Sequence, residues 1–302
     1  MRNKTVAAVV VTYNRKALLL ENIEALLSQT RADICDVIII DNASSDGTQE
    51  ALLPYVNDGR IKYINTGSNL GGAGGFQRGI RYAAESGYEF VWVMDDDCIP
   101  EPDALDAFIE KDRELSGNYG FLSSKVLWKD GSVCTMNVQR RTISKNVTDF
   151  GGELIPVVMA SFVSLFIPIK VVKEYGLPIK EFFIWTDDWE YTRRISRSLP
   201  CYLLTGSVVV HKSKSNIGAN IVTETPDRLD RFNYLYRNDV YLYRREGLRG
   251  FFYEFVRLGG HTLRVLLKAK DNKAKRIKLI IGATAKGLSF KPEIEFADTA
   301  EN

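Results

Sequence analysis

Val91-Trp92-Val93-Met94-Asp95-Asp96-Asp97-Cys98-Ile99-Pro100 is a short apolar run that ends in three consecutive carboxylates and stops at a proline. From Tyr88 to Met94 the only charge is Glu89, and the run is too short for a helix. It predicts a strand buried on both faces of a mainly parallel sheet. Three like charges at the strand's end do not belong in a core. In open α/β sheets ligands bind beyond the carboxyl ends of strands, and side chains alternate along the chain. Asp95 and Asp97 are therefore expected to point together while Asp96 turns away. Paired hard oxygen donors suit magnesium or manganese, which in turn bind phosphate oxygens. A solvated acidic turn leading into the helix after Pro102 is the plainer alternative.

The surrounding sequence has the same organisation. Val6 to Thr12 is a β-branched run, followed by Tyr13-Asn14-Arg15 and then apolar residues at helical spacing up to Gln29. Val37 to Ile40 ends in Asp41-Asn42-Ala43-Ser44-Ser45-Asp46-Gly47-Thr48 and a helix to Tyr55. Ser45 and Asp46 fit a helix cap, whereas Asp41 sits on the strand end, where a ligand would bind. Ile61 to Asn65 leads to Asn69-Leu70-Gly71-Gly72-Ala73-Gly74-Gly75-Phe76-Gln77-Arg78-Gly79-Ile80, read as a glycine-rich loop before a helix to about Ser86. Repeated strand–loop–helix units imply right-handed crossovers and a parallel sheet. The glycines fit phosphate contact at a helix N-terminus, and equally a tight turn with close packing. They do not make a dinucleotide fingerprint, because Gln77 stands where the third glycine is needed. Nor is there a G-K-[ST] for a P-loop.

Beyond the triplet, a helix is expected from Pro102 and Asp103 to Leu115, then a hairpin with Phe121–Trp128 and Val133–Val138 around Lys129-Asp130-Gly131-Ser132. Thr142 to Pro156 reads as a polar, mobile loop and Val157 to Ile167 as a buried strand. A second acidic cluster follows in Trp185-Thr186-Asp187-Asp188-Trp189-Glu190, where Thr186 is expected to cap a helix with carboxylates in its first turn. Strand Tyr202 to Val210 ends on His211, whose position suits either a metal ligand or a satisfied loop histidine.

Composition bounds the class. With 302 residues and 45% apolar content the chain can build a large core, and its net charge is only +2. Charge is uneven: Arg257 to Lys291 holds ten Lys or Arg and one acid, Asp271, so anionic partners are expected there. Cys35, Cys98, Cys134 and Cys201 are scattered without a C-x-x-C pair, which argues for reduced thiols in a cytoplasmic protein and against structural zinc. The start, Met1 to Val6, runs directly into a strand without a signal-peptide apolar region. No stretch of about twenty apolar residues occurs, so membrane contact is expected to be peripheral, on the inner face of the plasma membrane. After Asp227 three helices are expected: an aromatic- and arginine-rich one to Tyr243, then Phe251 to Lys268 and Lys275 to Gly287. Phe251, Phe252, Phe255, Val256, Leu263, Val265, Leu266, Leu267, Leu279, Ile280 and Ile281 either insert shallowly in an anionic bilayer or pack on the sheet or on a second subunit of a homo-oligomer. No nucleic-acid partner is expected.

With Val11-Thr12-Tyr13-Asn14-Arg15, Asp41 to Thr48, Asn69-Leu70-Gly71-Gly72, Asp95-Asp96-Asp97 and Trp185-Thr186-Asp187-Asp188 in this order, the chain resembles the inverting glycosyltransferases of family 2. It is most similar to bacterial rhamnosyltransferases and galactofuranosyltransferases of polysaccharide biosynthesis, and Tyr236-Arg237-Asn238 in the tail resembles that subgroup too. The resemblance implies a GT-A, Rossmann-like α/β fold over residues 1–225 and a helical extension over 226–302. It implies transfer of galactofuranose or rhamnose from a UDP- or dTDP-sugar to a lipid-linked or polysaccharide acceptor, with Mn or Mg. By the same resemblance Thr12, Asn14, Arg15, Asp41, Asn69, Gly71, Gly72, Arg78, Asp95, Asp96 and Trp185 line the nucleotide-sugar pocket. Asp95, Asp97 and His211 hold the metal. Asp188 is the base, with Asp187 beside it, and the choice between these two rests on the match rather than on chemistry.

Direct displacement at an anomeric carbon needs charge stabilisation on a departing diphosphate, a carboxylate for the incoming proton, and alignment of the two, which gives each acidic cluster a separate task. A glycosidase has no use for a phosphate-and-metal pocket. A nucleotidyltransferase calls for a basic glycine-rich loop where Thr12-Tyr13-Asn14-Arg15 stands. A sugar-nucleotide-binding protein without turnover is the alternative of another class, and Asp188 argues against it.

Overall fold

A computed structural model describes residues 5–298, so the Met1–Lys4 start discussed above lies outside the described residues. In chain order the elements are β1 (Val6–Thr12), α1 (Lys16–Leu27), β2 (Cys35–Asp41), α2 (Thr48–Asn57), β3 (Ile61–Asn65) and α3 (Gly71–Glu85). Then come β4 (Phe90–Asp95), β5 (Cys98–Pro100), α4 (Ala104–Leu115), β6 (Leu122–Trp128), β7 (Leu154–Pro156), β8 (Leu165–Pro168) and α5 (Ile169–Tyr175). The chain finishes with α6 (Asp187–Ser196), β9 (Tyr202–His211), α7 (Phe232–Arg244), α8 (Gly247–Lys268) and α9 (Lys273–Ser289).

One sheet runs in the order β3-β2-β1-β4-β8-β6-β9-β5, with β7 on β9. Its first four strands are parallel, as repeated strand–loop–helix units require. Beyond them β8 runs antiparallel to β4 and β6, and β9 is parallel to β6 but antiparallel to β5 and β7. Alternation divides the core into two layers. Val9, Val11, Val91 and Val93 face Phe76, Ile80 and Ala83 of α3, whereas Val10, Trp92 and Met94 face Leu19 and Ile23 of α1 and Phe108 of α4. Trp92 is fully buried, and its indole N–H donates to Ser164 Oγ at 2.8 Å, so this large side chain leaves no polar atom unpaired.

Four local expectations need correction. The glycine stretch is not a loop before a helix: Gly71 to Gly75 are the first turns of α3. Close packing explains this, since a Cβ on Gly75 would lie 2.5 Å from Val11 Cγ1 and one on Gly79 2.3 Å from Val9 Cγ1. The Lys129–Ser132 turn forms, with Trp128 N–H donating to Ser132 O at 2.7 Å, but its second arm becomes a 3-10 turn at Thr135–Asn137. That turn presents Asn137 to the site described below. The buried run from Val157 is strand only at Leu165–Pro168; Val157, Met159, Ala160 and Phe162 are core residues of irregular chain. Thr142 to Pro156 is tied down by Arg140 bridging Asn146 and by β7 pairing with β9.

The tail divides between the two options offered for it. Val265, Leu279 and Ile280 are buried with Phe232 and Tyr236 of α7, so three of the apolar residues named above pack inward. The other eight are exposed, among them Phe251, Phe252, Phe255 and Leu267 at 58–70%. Among the described residues no helix is long and apolar enough to cross a membrane.

Candidate active site

The parallel register places Thr12 beside Asp41 and Val11 beside Asp95, so the ends of β1, β2 and β4 share one edge of the sheet. The antiparallel β5–β9 register sets Cys98 opposite His211, and Lys212 N–H donates to Asp97 O at 2.8 Å. Two residues separated by 114 positions thus become neighbours. His211 Nε2 lies 3.1 Å from Asp97 Oδ1, and Asp95, Asp97, Cys98 and His211 have donor atoms within 4.8 Å of one another. Asp96, in the turn between β4 and β5, points elsewhere and accepts the Thr12 hydroxyl at 2.8 Å.

This donor set fits a divalent cation. His211 Nδ1 is 2.8 Å from Asn137 Oδ1, which holds the ring with Nε2 toward the carboxylates, the usual outer-shell arrangement for a metal-binding imidazole. Burial pushes the Cys98 thiol well above its ordinary range, and the two carboxylates and the imidazole are the oxygen and nitrogen donors suited to such an ion.

Charges in the cluster are balanced among its own side chains. Burial, then the charge of Asp97, raises the Asp95 carboxyl to about 6. Asp96 is raised to about 7, mainly by burial, against the opposing charge of Arg15. For Asp97 burial again works upward, but the hydrogen bond and charge of His211 and the charge of Arg15 outweigh it and hold this carboxyl below its ordinary value. His211 rises to about 10: burial opposes its charge, while Asp97, Cys134 and Asp95 together favour it more strongly. The half-exposed Arg15 side chain pairs with Asp97 and lies 3.6 Å from Asp96. A positive charge therefore sits on each side of Asp97.

The second acidic cluster converges on the first. The charge of Asp95 acts upward on both Asp187 and Asp188, which start α6. Asp187 is buried, and burial raises it to about 7 despite the backbone N–H groups at the helix start. Asp188 is partly exposed, accepts Trp189 N–H at 2.7 Å, and is pushed well above the carboxylate range by burial and then by Asp187. Of the two, Asp188 is the one open to an incoming group. Thr186 occupies the N-cap position with φ 68°, but its side chain makes no cap bond; its hydroxyl donates instead to Asp239 on α7 at 2.6 Å, a correction to the capping role expected for it.

The remaining candidate residues fall into two groups. Asn14 Oδ1 accepts Ser45 N–H at 2.7 Å, and Asn14 N–H donates to Ser44 Oγ at 2.9 Å, which stitches the β1 and β2 loops together. Asp41 is fully buried and accepts from Ser44 and from the Tyr63 hydroxyl at 2.7 Å, shaping the same floor. Asn69 Oδ1 accepts Gly71 N–H at 2.9 Å and starts α3. Gly71 lies where a Cβ would collide with Phe183 O at 2.1 Å, so its absent side chain serves that contact, while the space beside Gly72 is open. Trp185 packs on Phe232 with ring centroids 5.2 Å apart. Arg78 is exposed, two turns into α3, away from the helix start. Left-handed backbone at Asn14, Ala43, Phe183, Trp185 and Thr186 clusters in these loops, at about 1–3 kcal/mol each.

Four contributors escaped the sequence reading: Asn137 behind His211, Asn42, whose amide donates to Gly71 O at 2.9 Å, and Asn238 and Asp239 under the second cluster. Asn42 and Asn238 had a signal, as parts of the Asp41–Thr48 stretch and of Tyr236-Arg237-Asn238, but neither signal carried a role.

Residues 7–118 match the profile of glycosyl transferase family 2. The chain is 28% identical over 283 residues to galactofuranosyltransferase GlfT1 of Mycolicibacterium smegmatis, covering 86% of this chain and 90% of that protein. It is 32% identical over 95 residues to the dTDP-rhamnosyl transferase RfbF of Shigella flexneri, covering 32% and 30%. The solved structure of GalNAc-T7 with UDP, GalNAc and Mn2+ superposes with a TM-score of 0.59 at 14% identity, over 80% of this chain and 50% of that one, and shares the GT-A architecture.

Proposed function

Since residues 7–118 are a glycosyl transferase family 2 domain and the chain is a glycosyltransferase, we propose that it transfers galactofuranose from a UDP-sugar, with inversion, to a lipid-linked or polysaccharide glycan acceptor. The observation that supports this is the grouping of Asp95, Asp97 and His211, with donor atoms close enough for one cation, near enough to the Asp187–Asp188 pair at the start of α6 for the charge of Asp95 to act on both. Likeness to a galactofuranosyltransferase across nearly the whole chain favours that sugar over rhamnose, whose relative matches only about a third.

In this reading Asp95, Asp97 and His211 hold Mn or Mg. The bound ion supplies positive charge for the departing nucleoside diphosphate. Arg15, half exposed beside Asp97, adds a second positive group to the donor side. Thr12, Asn14, Asp41, Asp96, Asn69, Gly71 and Gly72 form the wall against which the nucleotide sugar is oriented, whereas Arg78, two turns into α3, and Trp185, packed on Phe232, are not part of it. Asp188 accepts the proton of the acceptor hydroxyl as it attacks the anomeric carbon, and burial beside Asp187 raises its proton affinity above that of an ordinary carboxylate. A panel of UDP-, dTDP- and GDP-sugars with manganese tests the reading through nucleoside diphosphate release. UDP release from UDP-galactofuranose is expected, and release from dTDP-rhamnose alone would overturn the sugar assignment.

We further propose that α8 rests on an anionic bilayer. Phe251, Phe252, Phe255, Val256, Leu263, Leu266 and Leu267 form one exposed apolar face of α8, and Arg249, Arg264, Lys268, Lys270, Lys273, Lys275, Lys278 and Lys286 are exposed on α8, α9 and their connection. Asp271 is the single exposed acid on α8, α9 and their connection, so the charge complements an anionic surface. Each Lys or Arg near such a surface contributes about 1 kcal/mol, beside the apolar insertion. Sedimentation with anionic vesicles is expected to capture the full chain at low salt and release it at high salt. The triple variant Phe251→Ser, Phe252→Ser, Phe255→Ser is expected to stay in the supernatant. If the full chain ignores vesicles and runs as a dimer that the triple variant dissociates, this face is a subunit contact instead.

A further inference from the structure

We propose that Asn238, Asp239 and Thr186 form a clamp that aims the Asp187–Asp188 pair, so that the C-terminal helices position the groups used in transfer. The inference rests on the reading of Asp188 as the base.

A 3-10 turn at Lys180–Phe182 ends with Phe183 N–H donating to Lys180 O at 3.0 Å and Ile184 N–H to Phe182 O at 2.7 Å, and from there Trp185 and Thr186 lead straight into α6 at Asp187. Any rotation of this segment therefore re-aims Asp188. One side chain gathers it. The fully buried Asn238 Nδ2 donates to the carbonyl oxygens of Phe182 at 3.0 Å, Ile184 at 3.2 Å and Trp185 at 2.9 Å. Its Oδ1 accepts from Arg237 Nε at 3.0 Å and from an Arg237 terminal nitrogen at 2.8 Å, which fixes the amide with its N–H groups toward the segment.

Asp239, also buried, continues the grip by one residue. One of its oxygens accepts the Thr186 hydroxyl at 2.6 Å, and the other pairs with Arg257 of α8, which also bonds Glu254 at 2.8 Å. On the opposite side Phe183 O accepts Ala73 N–H at 3.2 Å and fills the space that a Gly71 side chain would need. The segment is thus held between the start of α3 and α7, with left-handed backbone at Phe183, Trp185 and Thr186 that only such surroundings maintain. No polar contact of Asn238 or Asp239 reaches Asp95, Asp97 or His211. The clamp therefore acts on proton removal and not on the cation.

Steady-state kinetics on the full chain separate a positioning role from a merely structural one. Asn238→Ala and Thr186→Val are each expected to lower kcat at least about tenfold, because small misplacements of a reacting group are expensive. The donor KM and manganese-dependent UDP binding by calorimetry should stay within about twofold of the wild type. The acidic limb of the kcat/KM pH profile should move in both variants, since the surroundings of Asp188 change. Thr186→Ser, which keeps the hydroxyl, should recover most of the loss seen in Thr186→Val. If donor binding falls in step with kcat, if kcat is untouched, or if Thr186→Ser matches Thr186→Val, the clamp is only structural. The Thr186 pair decides the matter even if Asn238→Ala does not fold. Failure of the base assignment is distinguishable: Asp188→Asn would then transfer normally, whereas an inactive Asp188→Asn with normal Asn238→Ala and Thr186→Val removes the clamp alone.

Discussion

Asp97→Ala is expected to lose at least about a thousandfold in kcat, together with nearly all manganese-dependent binding of UDP. That is the scale of several kcal/mol of charge stabilisation at about 1.4 kcal/mol per factor of ten. Asp97 is the one member of the triplet whose carboxyl is held below its ordinary value, with His211 Nε2 at 3.1 Å on one side and Arg15 on the other. Its neighbours do not replace it. Asp95 and Asp96 both bind protons more readily than an ordinary carboxyl, and Asp96 is turned to Thr12. Calorimetry with UDP, with and without manganese, checks this on both proteins, and matched thermal unfolding shows whether the variant is folded. Metal dependence that survives intact in Asp97→Ala would overturn the cation site proposed here. Asp96→Asn is the contrasting case, expected to keep the manganese dependence of UDP binding even where affinity falls, because its side chain points at the Thr12 hydroxyl and not at the cation.

The second large effect is at the base. Asp188→Asn is expected to keep donor affinity and to lose transfer by at least about a hundredfold, the usual effect of removing a general base. An amide has the same shape and cannot take the proton. The wild-type pH profile carries the same information with a definite sign. A base works ionised, so kcat/KM falls as pH drops through the Asp188 pKa. Burial and the charge of Asp187 raise that pKa well above the ordinary 3.8, so the fall begins at a higher pH than for an exposed aspartate. The variant should lack that limb. If transfer persists in Asp188→Asn and disappears in Asp187→Asn, the buried acid is the base and the exposed one is not, against the reading from their accessibility.

Strands and helices were legible wherever one face had to be buried. Val6–Thr12 and Ile61–Asn65 begin and end where their sequence patterns do, and the strand before the triplet extends to Asp95 itself. The glycine stretch was misread because its composition resembles a loop, while its requirement comes from Val9 and Val11 on another element. The run from Val157 looked like a strand because burial selects apolar residues in irregular chain as well. Thr186 looked like a cap because its type and place suit one, but Asp239, fifty-three residues later, competes for its hydroxyl.

By itself the sequence determined the layered α/β plan and the strand ends on which Thr12, Asp41, Asp95 and His211 stand. Both follow from alternation and burial within a few residues. Only the tertiary structure decided that Asp97 meets His211, that Asp95 acts on Asp187 and Asp188, which of those two is open to an acceptor, and that α7 grips the segment before them. The physical reason is that each of these depends on strand register and loop closure between residues far apart in the chain. The local pattern of apolar and polar side chains specifies which face a residue takes, but not which distant partner it finds there.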